Sequence, residues 1–179
     1  LIARGPQVDW VPVGPMGIQP SPQPYEIRGV GRINDVAFHP SDSLILYVGA
    51  SNGGIWKSTN AGLSWTNLFD DFLQIGVSGI AIDPNDSNIL YITTGDDDAA
   101  DSYSIGVYKS TDGGLSWNPT GLTTTGVNTL MNEIVIDPTN SNILWVGTSS
   151  GLYKSTDAGA NWALVQSGYI SDFKLKPGD

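Results

Sequence analysis

One pattern constrains this chain more than any other: it writes the same hairpin three times. "GGIWKSTNAGLSW" (53–65) returns as "IGVYKSTDGGLSW" (105–117) and as "SGLYKSTDAGANW" (150–162). A second phrase precedes each copy. It reads "INDVAFHPSDSLILYVG" at 33–49, "VSGIAIDPNDSNILYIT" at 77–93 and "MNEIVIDPTNSNILWVG" at 131–147. A fourth copy of that phrase opens as "ISDFKLKPGD" at 170–179. The tryptophans that end the hairpins, Trp65, Trp117 and Trp162, lie 52 and 45 residues apart, and the longer interval holds an insertion, "GDDDAADSYS" (95–104). The repeat is therefore about 45 residues long, and repeats of that length are supersecondary units that bury their apolar faces against one another.

Each unit reads as four short strands. The first is the apolar run before His39-Pro40, Asp83-Pro84 or Asp137-Pro138. A turn rich in Pro, Asn, Asp and Ser follows, where side-chain oxygens can hydrogen-bond the local backbone. The second strand is the "LYV", "LYI" or "LWV" run, the third is "GIWKS", "GVYKS" or "GLYKS", and the fourth starts at the Trp. No segment carries helical periodicity. Four strands per repeat predict an all-β chain, a partial β-propeller of four-stranded antiparallel blades. The expected divisions are a closing outer strand at 8–13, blades at 32–76, 77–129 and 130–169, and the start of a further blade at 170–179. "WVPVG" (10–14) matches a fourth strand, so the chain is expected to belong to a longer propeller closed by that strand.

The box itself explains its composition. Ser58, Ser110 and Ser155, with Asn60, Asp112 and Asp157, place acceptor oxygens where a tight turn has free N–H groups. Gly62, Gly114 and Gly159 suit a positive φ. Trp65, Trp117 and Trp162 are expected to be largely buried over their hairpins. Asn60 keeps one acceptor oxygen but cannot act as a carboxylate. The box therefore reads as architecture and not as a catalytic site.

"STNAGLSW", "STDGGLSW" and "STDAGANW" resemble Asp-box repeats, the hairpins of sialidases, sortilin-type receptors and xyloglucan-degrading hydrolases. The resemblance spans about 32–179. It implies a propeller whose ligand face lies opposite the boxes. For a sialidase it implies an arginine cluster, and the chain has only Arg4, Arg28 and Arg32, without the Arg-Ile-Pro signature. For the xyloglucan-degrading hydrolases it implies a catalytic base on the loop after the second strand of an early blade. The matching stretch, "GASNGG" (49–54), offers Ser51 and Asn52 and no carboxylate.

Other candidates are few. Asp96, Asp97, Asp98 and Asp101 crowd the insertion and are either Ca²⁺ ligands or a solvated acidic loop. No other cofactor is implied. Asp35, Glu133 and Asp172 share one slot of the innermost strand, with Gly79 in the remaining unit. They are either paired carboxylates for glycoside hydrolysis or repeat-encoded polar residues facing a central channel. His39 is a turn residue.

Composition narrows the partners. Acidic residues number 18 against 8 basic ones, a net charge of −10, which disfavours nucleic acid. No apolar run reaches the length of a membrane helix, so no membrane insertion is expected. There is no cysteine, which removes disulfides and thiolate metal sites. The Gly-, Ser-, Thr-, Asn- and Trp-rich composition reads as secreted or cell-surface. The expected role is a non-catalytic recognition or display module, binding a glycan or protein on the face opposite the boxes and packing on further blades of the same protein. A fragment of a xyloglucanase-like glycoside hydrolase and a stalk or filament component are the alternatives.

Overall fold

The computed structural model describes residues 32–68, 76–96, 102, 104–123 and 129–176. By its contacts the chain divides into Leu1–Val30 and Gly31–Asp179. The first unit, with the expected closing strand at 8–13, lies outside the described residues.

The second unit is built of twelve strands. They are β1 (Ile33–Phe38), β2 (Leu46–Ala50), β3 (Gly54–Ser58) and β4 (Thr66–Asn67) in the first sheet. β5 (Val77–Ile82), β6 (Leu90–Thr94), β7 (Gly106–Ser110) and β8 (Asn118–Thr123) form the second. β9 (Met131–Asp137), β10 (Asn140–Thr148), β11 (Gly151–Ser155) and β12 (Ala163–Ser167) form the third. Each sheet is antiparallel with its strands in sequence order. No helix occurs among the described residues. The chain is an all-β, partial β-propeller of three described blades.

The 1→2 turns and the boxes share one end, as the up-and-down order requires. Backbone N–H groups of the box turns donate to carbonyls of the 1→2 turns: Ala61 to Leu44, Gly113 to Asn88 and Ala158 to Asn142. Asp83 and Asp137 cap their own turns by accepting the N–H groups of Asn85 and Thr139, both at 2.8 Å. His39 does the same work with Nδ1, which accepts from Ser41 and Asp42.

The apolar core lies between blades, not within them. Tyr47 and Ile55 of blade one meet Ile80, Leu90, Ile92 and Trp117 of blade two. Tyr91 and Val107 of blade two meet Ile134, Ile136, Leu144 and Val146 of blade three. Alternation along each strand sends one set of side chains to each neighbouring blade. A lone blade would leave both sets in water.

Two expectations need amendment. Trp65 and Trp162 are not largely buried: Trp65 is 38% exposed and Trp162 is half-buried, whereas Trp117 is 8% exposed. The box does not bury its own tryptophan. The preceding blade supplies the cover, almost completely for Trp117 and in part for Trp162, and among the described residues blade one has none before it. Residues 169–176 hold no strand, although they lie along blade three as an inner strand would. Ile170 N–H donates to Thr148 O at 2.9 Å, and Ile170 and Phe173 pack on Gly147.

Candidate functional site: the loop face and the inner-strand cleft

The box geometry is settled by short local hydrogen bonds. In blade two, Ser110 Oγ accepts the N–H groups of Asp112 and Gly114 at 3.3 and 2.9 Å. Asp112 Oδ1 accepts Ser116 N–H at 2.9 Å, and Oδ2 accepts the Ser116 hydroxyl at 2.6 Å. These bonds, led by the Ser116 hydroxyl, lower the Asp112 pKa to about 2. Blade three repeats the arrangement with Ser155, Asp157 and Asn161, and the bond from the Asn161 side chain comes first in lowering Asp157. Blade one uses a neutral version. Asn60 Oδ1 accepts Ser64 N–H at 2.9 Å, while its Nδ2 donates to Ser64 Oγ at 2.8 Å. Gly62, Gly114 and Gly159 turn the chain with φ of 86°, 93° and 87°. Every polar atom named here bonds within its own turn, so the boxes hold the hairpins.

The opposite end carries the 2→3 loops. Ser51 is almost fully buried there, and Asn52 is exposed. Ser51 is locked by its backbone: its N–H donates to Arg32 O at 3.4 Å, and its O accepts the Ser102 hydroxyl at 2.8 Å. Gly76 lies so close that a Cβ there would stand 2.0 Å from Ser51 O and 2.6 Å from Gly95 O. Gly95 N–H in turn donates to Gly76 O at 2.8 Å. The loops of blades one and two are thus sewn together on this face.

Asp96 roots the acidic insertion. It is fully buried, and its carboxylate meets the Arg32 guanidinium and Asn34 Nδ2. An arginine beside a buried carboxylate satisfies its charge. Asp96 is therefore held in an ion pair across two blades. Asp97, Asp98 and Asp101 lie outside the described residues. No cluster of metal-ligating side chains occurs among the described residues. Nothing in the sequence singled out Arg32 as the partner of Asp96, 64 residues away.

The inner strands line a cleft of about 300 Å³, with Asn34, Asp35, Ser78, Asn132, Glu133, Asp172 and Lys174 on its walls. Asp35 and Glu133 each reach the segment that follows in the ring. Asp35 Oδ2 accepts Ile80 N–H at 2.6 Å, and Oδ1 accepts its neighbour Val36 N–H at 2.7 Å. Burial nonetheless raises the Asp35 pKa above the ordinary value, against those hydrogen bonds. Glu133 Oε2 accepts Phe173 N–H at 3.0 Å, and Oε1 pairs with Lys174 at 2.7 Å. Lys174 also meets Asp172 at 3.2 Å, and its pKa is raised by its bonds to Glu133 and then Asp172.

The preceding residue adds a second bond: Asn34 Nδ2 donates to Val77 O at 3.2 Å, and Asn132 Nδ2 donates to Ile170 O. An Asn-acid pair thus staples one blade to the next at two junctions. At the third, the pair is Ser78-Gly79 and the backbones close in instead. A Cβ on Gly79 would stand 3.2 Å from Asn132 O. The signal for this was present as "ND", "SG" and "NE" at matching positions, but it did not say which blade each side chain would reach.

No known protein-family profile matches the chain. Curated relatives do. A xyloglucanase of a Paenibacillus species is 31% identical over 133 residues, covering 68% of this chain and 13% of that protein. A xyloglucanase of Hypocrea jecorina is 31% identical over 134 residues, covering 68% of this chain and 16% of that protein. The chain thus spans less than a fifth of the length of these relatives.

Solved structures agree on the fold. An ancestral GH74 enzyme superposes with a TM-score of 0.62 at 27% identity, over 75% of this chain and 18% of that one. The GH74 xyloglucanase of Xanthomonas campestris gives 0.60 at 28% identity, over 75% and 21%. YCF48 bound to a D1 peptide gives 0.59 at 18% identity, over 82% and 46%, a likeness of fold alone.

Proposed function

We propose that this chain is a segment of a secreted, xyloglucanase-like propeller that binds xyloglucan-type glycans on its 2→3 loop face. In this reading the segment supplies binding surface and blade scaffold, and catalytic carboxylates come from elsewhere in the protein. The observation that carries it is the similarity to xyloglucanases at 31% identity over about two thirds of the chain. That similarity favours the hydrolase class over a sortilin-like display module.

The geometry supports the division of labour. The loop that the resemblance makes a home for the base carries Ser51, buried and held by its backbone, and exposed Asn52. The adjacent Asp96 is paired with Arg32, and Asp35 and Glu133 are tied to backbone N–H groups. A general acid or nucleophile must be free to meet the glycosidic oxygen or the anomeric carbon. Ser51, Asp96, Asp35 and Glu133 do not meet that need, and exposed Asn52 has no carboxyl group.

Native gels cast with and without xyloglucan test the proposal. The chain is expected to be retarded by xyloglucan, to be unaffected by an unrelated soluble polysaccharide, and to release no reducing sugar from either. Equal mobility in all gels would remove the glycan reading. Xyloglucan cleavage lost on replacing Asp35 or Glu133 by the amide would remove the division of labour.

A further inference from the structure

Each blade that is followed by another seats the next box hairpin in the same way. Tyr47 and Lys57 of blade one hold the turn of blade two: the Tyr47 hydroxyl donates to Gly113 O at 3.3 Å and Lys57 Nζ donates to the same oxygen at 3.4 Å. Lys57 lies over the Tyr47 ring, 5.1 Å from its centroid. Blade two repeats the seat with Tyr91, whose hydroxyl donates to Ala158 O at 3.0 Å, and Lys109 over its ring at 5.2 Å. The accepting residues, Gly113 and Ala158, have positive φ of 73° and 56°. Both tyrosines are 1% exposed.

Blade three carries the same seat with one change. Trp145 stands where Tyr47 and Tyr91 stand, and Lys154 lies over it at 4.5 Å. Trp145 is partly exposed, unlike the two tyrosines. The inner half of this face is already occupied, because Ile170 and Phe173 are seated on Gly147 as Val77 is on Gly49.

We infer that Trp145 and Lys154 form the docking seat for the box hairpin of a fourth blade, whose innermost segment is Ile170–Lys176. The third seat has no phenol hydroxyl. The turn carbonyl of the incoming hairpin is met by the lysine ammonium, with the indole as a broader apolar floor. The inference rests on the propeller fold and stands whether or not the chain binds xyloglucan on its 2→3 loop face.

The repeat itself provides the probe. Appending a second copy of residues 139–169 after Pro177 supplies three strands to the segment that begins at Ile170. Hydroxyl-radical footprinting, read peptide by peptide, then compares Trp145 with Tyr47 and Tyr91 as internal references. Trp145 is expected to be oxidised readily in the 179-residue chain and to fall several-fold, to the level of the two tyrosines, in the extended one. The thermal midpoint is expected to rise, and Trp145→Ala with Lys154→Ala to cancel that rise. A Trp145→Tyr version of the extended chain guards against a mismatch of the copied hairpin with the indole.

Unchanged oxidation of Trp145 in a folded extended chain overturns the inference. So does an appended repeat that stays unfolded in both the Trp and Tyr backgrounds. Protection of Trp145 in the original chain that grows with protein concentration would show a second copy on the seat and also overturns it. So would protection by a xyloglucan heptasaccharide, which would make the indole a sugar platform.

Discussion

The first and second box hairpins are near copies, "STNAGLSW" and "STDGGLSW", yet they stand in different surroundings. Trp117 is 8% exposed and Trp65 is 38% exposed. The same contrast runs across the blade faces. Val36 is 44% exposed where its counterpart Ile80 is 7%. Leu46 and Val48 are partly exposed, whereas their counterparts Leu90 and Ile92 are buried completely. The local hydrogen bonds hardly differ. A box therefore makes its turn by itself, but its tryptophan stabilises the fold only when another blade lies over it.

That comparison breaks most sharply at the tryptophans. Trp117→Ala is expected to destabilise the chain by about 3–5 kcal/mol, as for other buried aromatic residues. Trp65→Ala is expected to cost about 1 kcal/mol or less, in keeping with a surface substitution. Urea melts of the two variants decide it, and equal losses would mean that the box buries its own tryptophan after all.

A smaller effect separates the blade junctions. Gly79→Asp installs the residue type of blade one into blade two. Its Cβ would stand 2.8 Å from Thr93 Oγ1 and 3.3 Å from Ile134 N, so the junction is expected to lose about 1–3 kcal/mol by overpacking. The reverse change, Asp35→Gly, removes a hydrogen bond to Ile80 and relieves the burial of a carboxylate. Its loss is expected to be smaller, about 1 kcal/mol. Parallel melts in which Asp35→Gly is the more damaging change would reverse the assignment of the two junctions.

Smaller still is the effect of the turn conformation. Ala61 and Ala158 hold positive φ of 57° and 56° where blade two has Gly113. Side chains adopt that region with strain. Ala61→Gly and Ala158→Gly are expected to raise stability by about 0.5–1 kcal/mol each. Thermal melts showing a loss instead would place the strain elsewhere.

Acid sharpens the comparison of the boxes without breaking it. The folded pKa of Asp112 is lowered to about 2 from the ordinary 3.8, and Asp157 is lowered as well. The unfolded chain then binds more protons than the folded one between those values. The contribution of these carboxylates is present above about pH 4 and is lost as pH falls toward about 2. Asp35 has the opposite sign: its raised pKa means that the folded state binds the extra proton, so its contribution weakens as pH rises above the ordinary value. Asp112→Asn with Asp157→Asn is expected to flatten the loss of stability between pH 4 and 2, leaving three boxes of the Asn60 kind. Both carboxylates are exposed, so the change is modest. An unaltered acid profile in chemical melts would show that the box carboxylates are not held by their turns.

Much of this was legible beforehand because its causes are local. A repeat of about 45 residues, alternating apolar positions, turn residues before Pro40, Pro84 and Pro138, and an acceptor-glycine-tryptophan box specify strands, turns and blade boundaries within each unit. The hydrogen bonds of Ser58, Ser110 and Ser155 span only two to four residues, so their chemistry can be read directly. The shared end of boxes and 1→2 turns follows from strand order alone.

What only the tertiary structure decided is everything that one blade does to another. The pairing of Arg32 with Asp96, the bond from Asp35 to Ile80, the seat of Gly113 on Tyr47 and the burial of Trp117 each join residues about 45 or more positions apart. Such contacts depend on how twisted sheets stack, and nearly identical local sequences meet different neighbours there. Trp65 and Trp117 are the same residue at the same place in nearly the same box. Their difference is the blade on the other side, because burial is a property of the pair of surfaces and not of the residue that is buried.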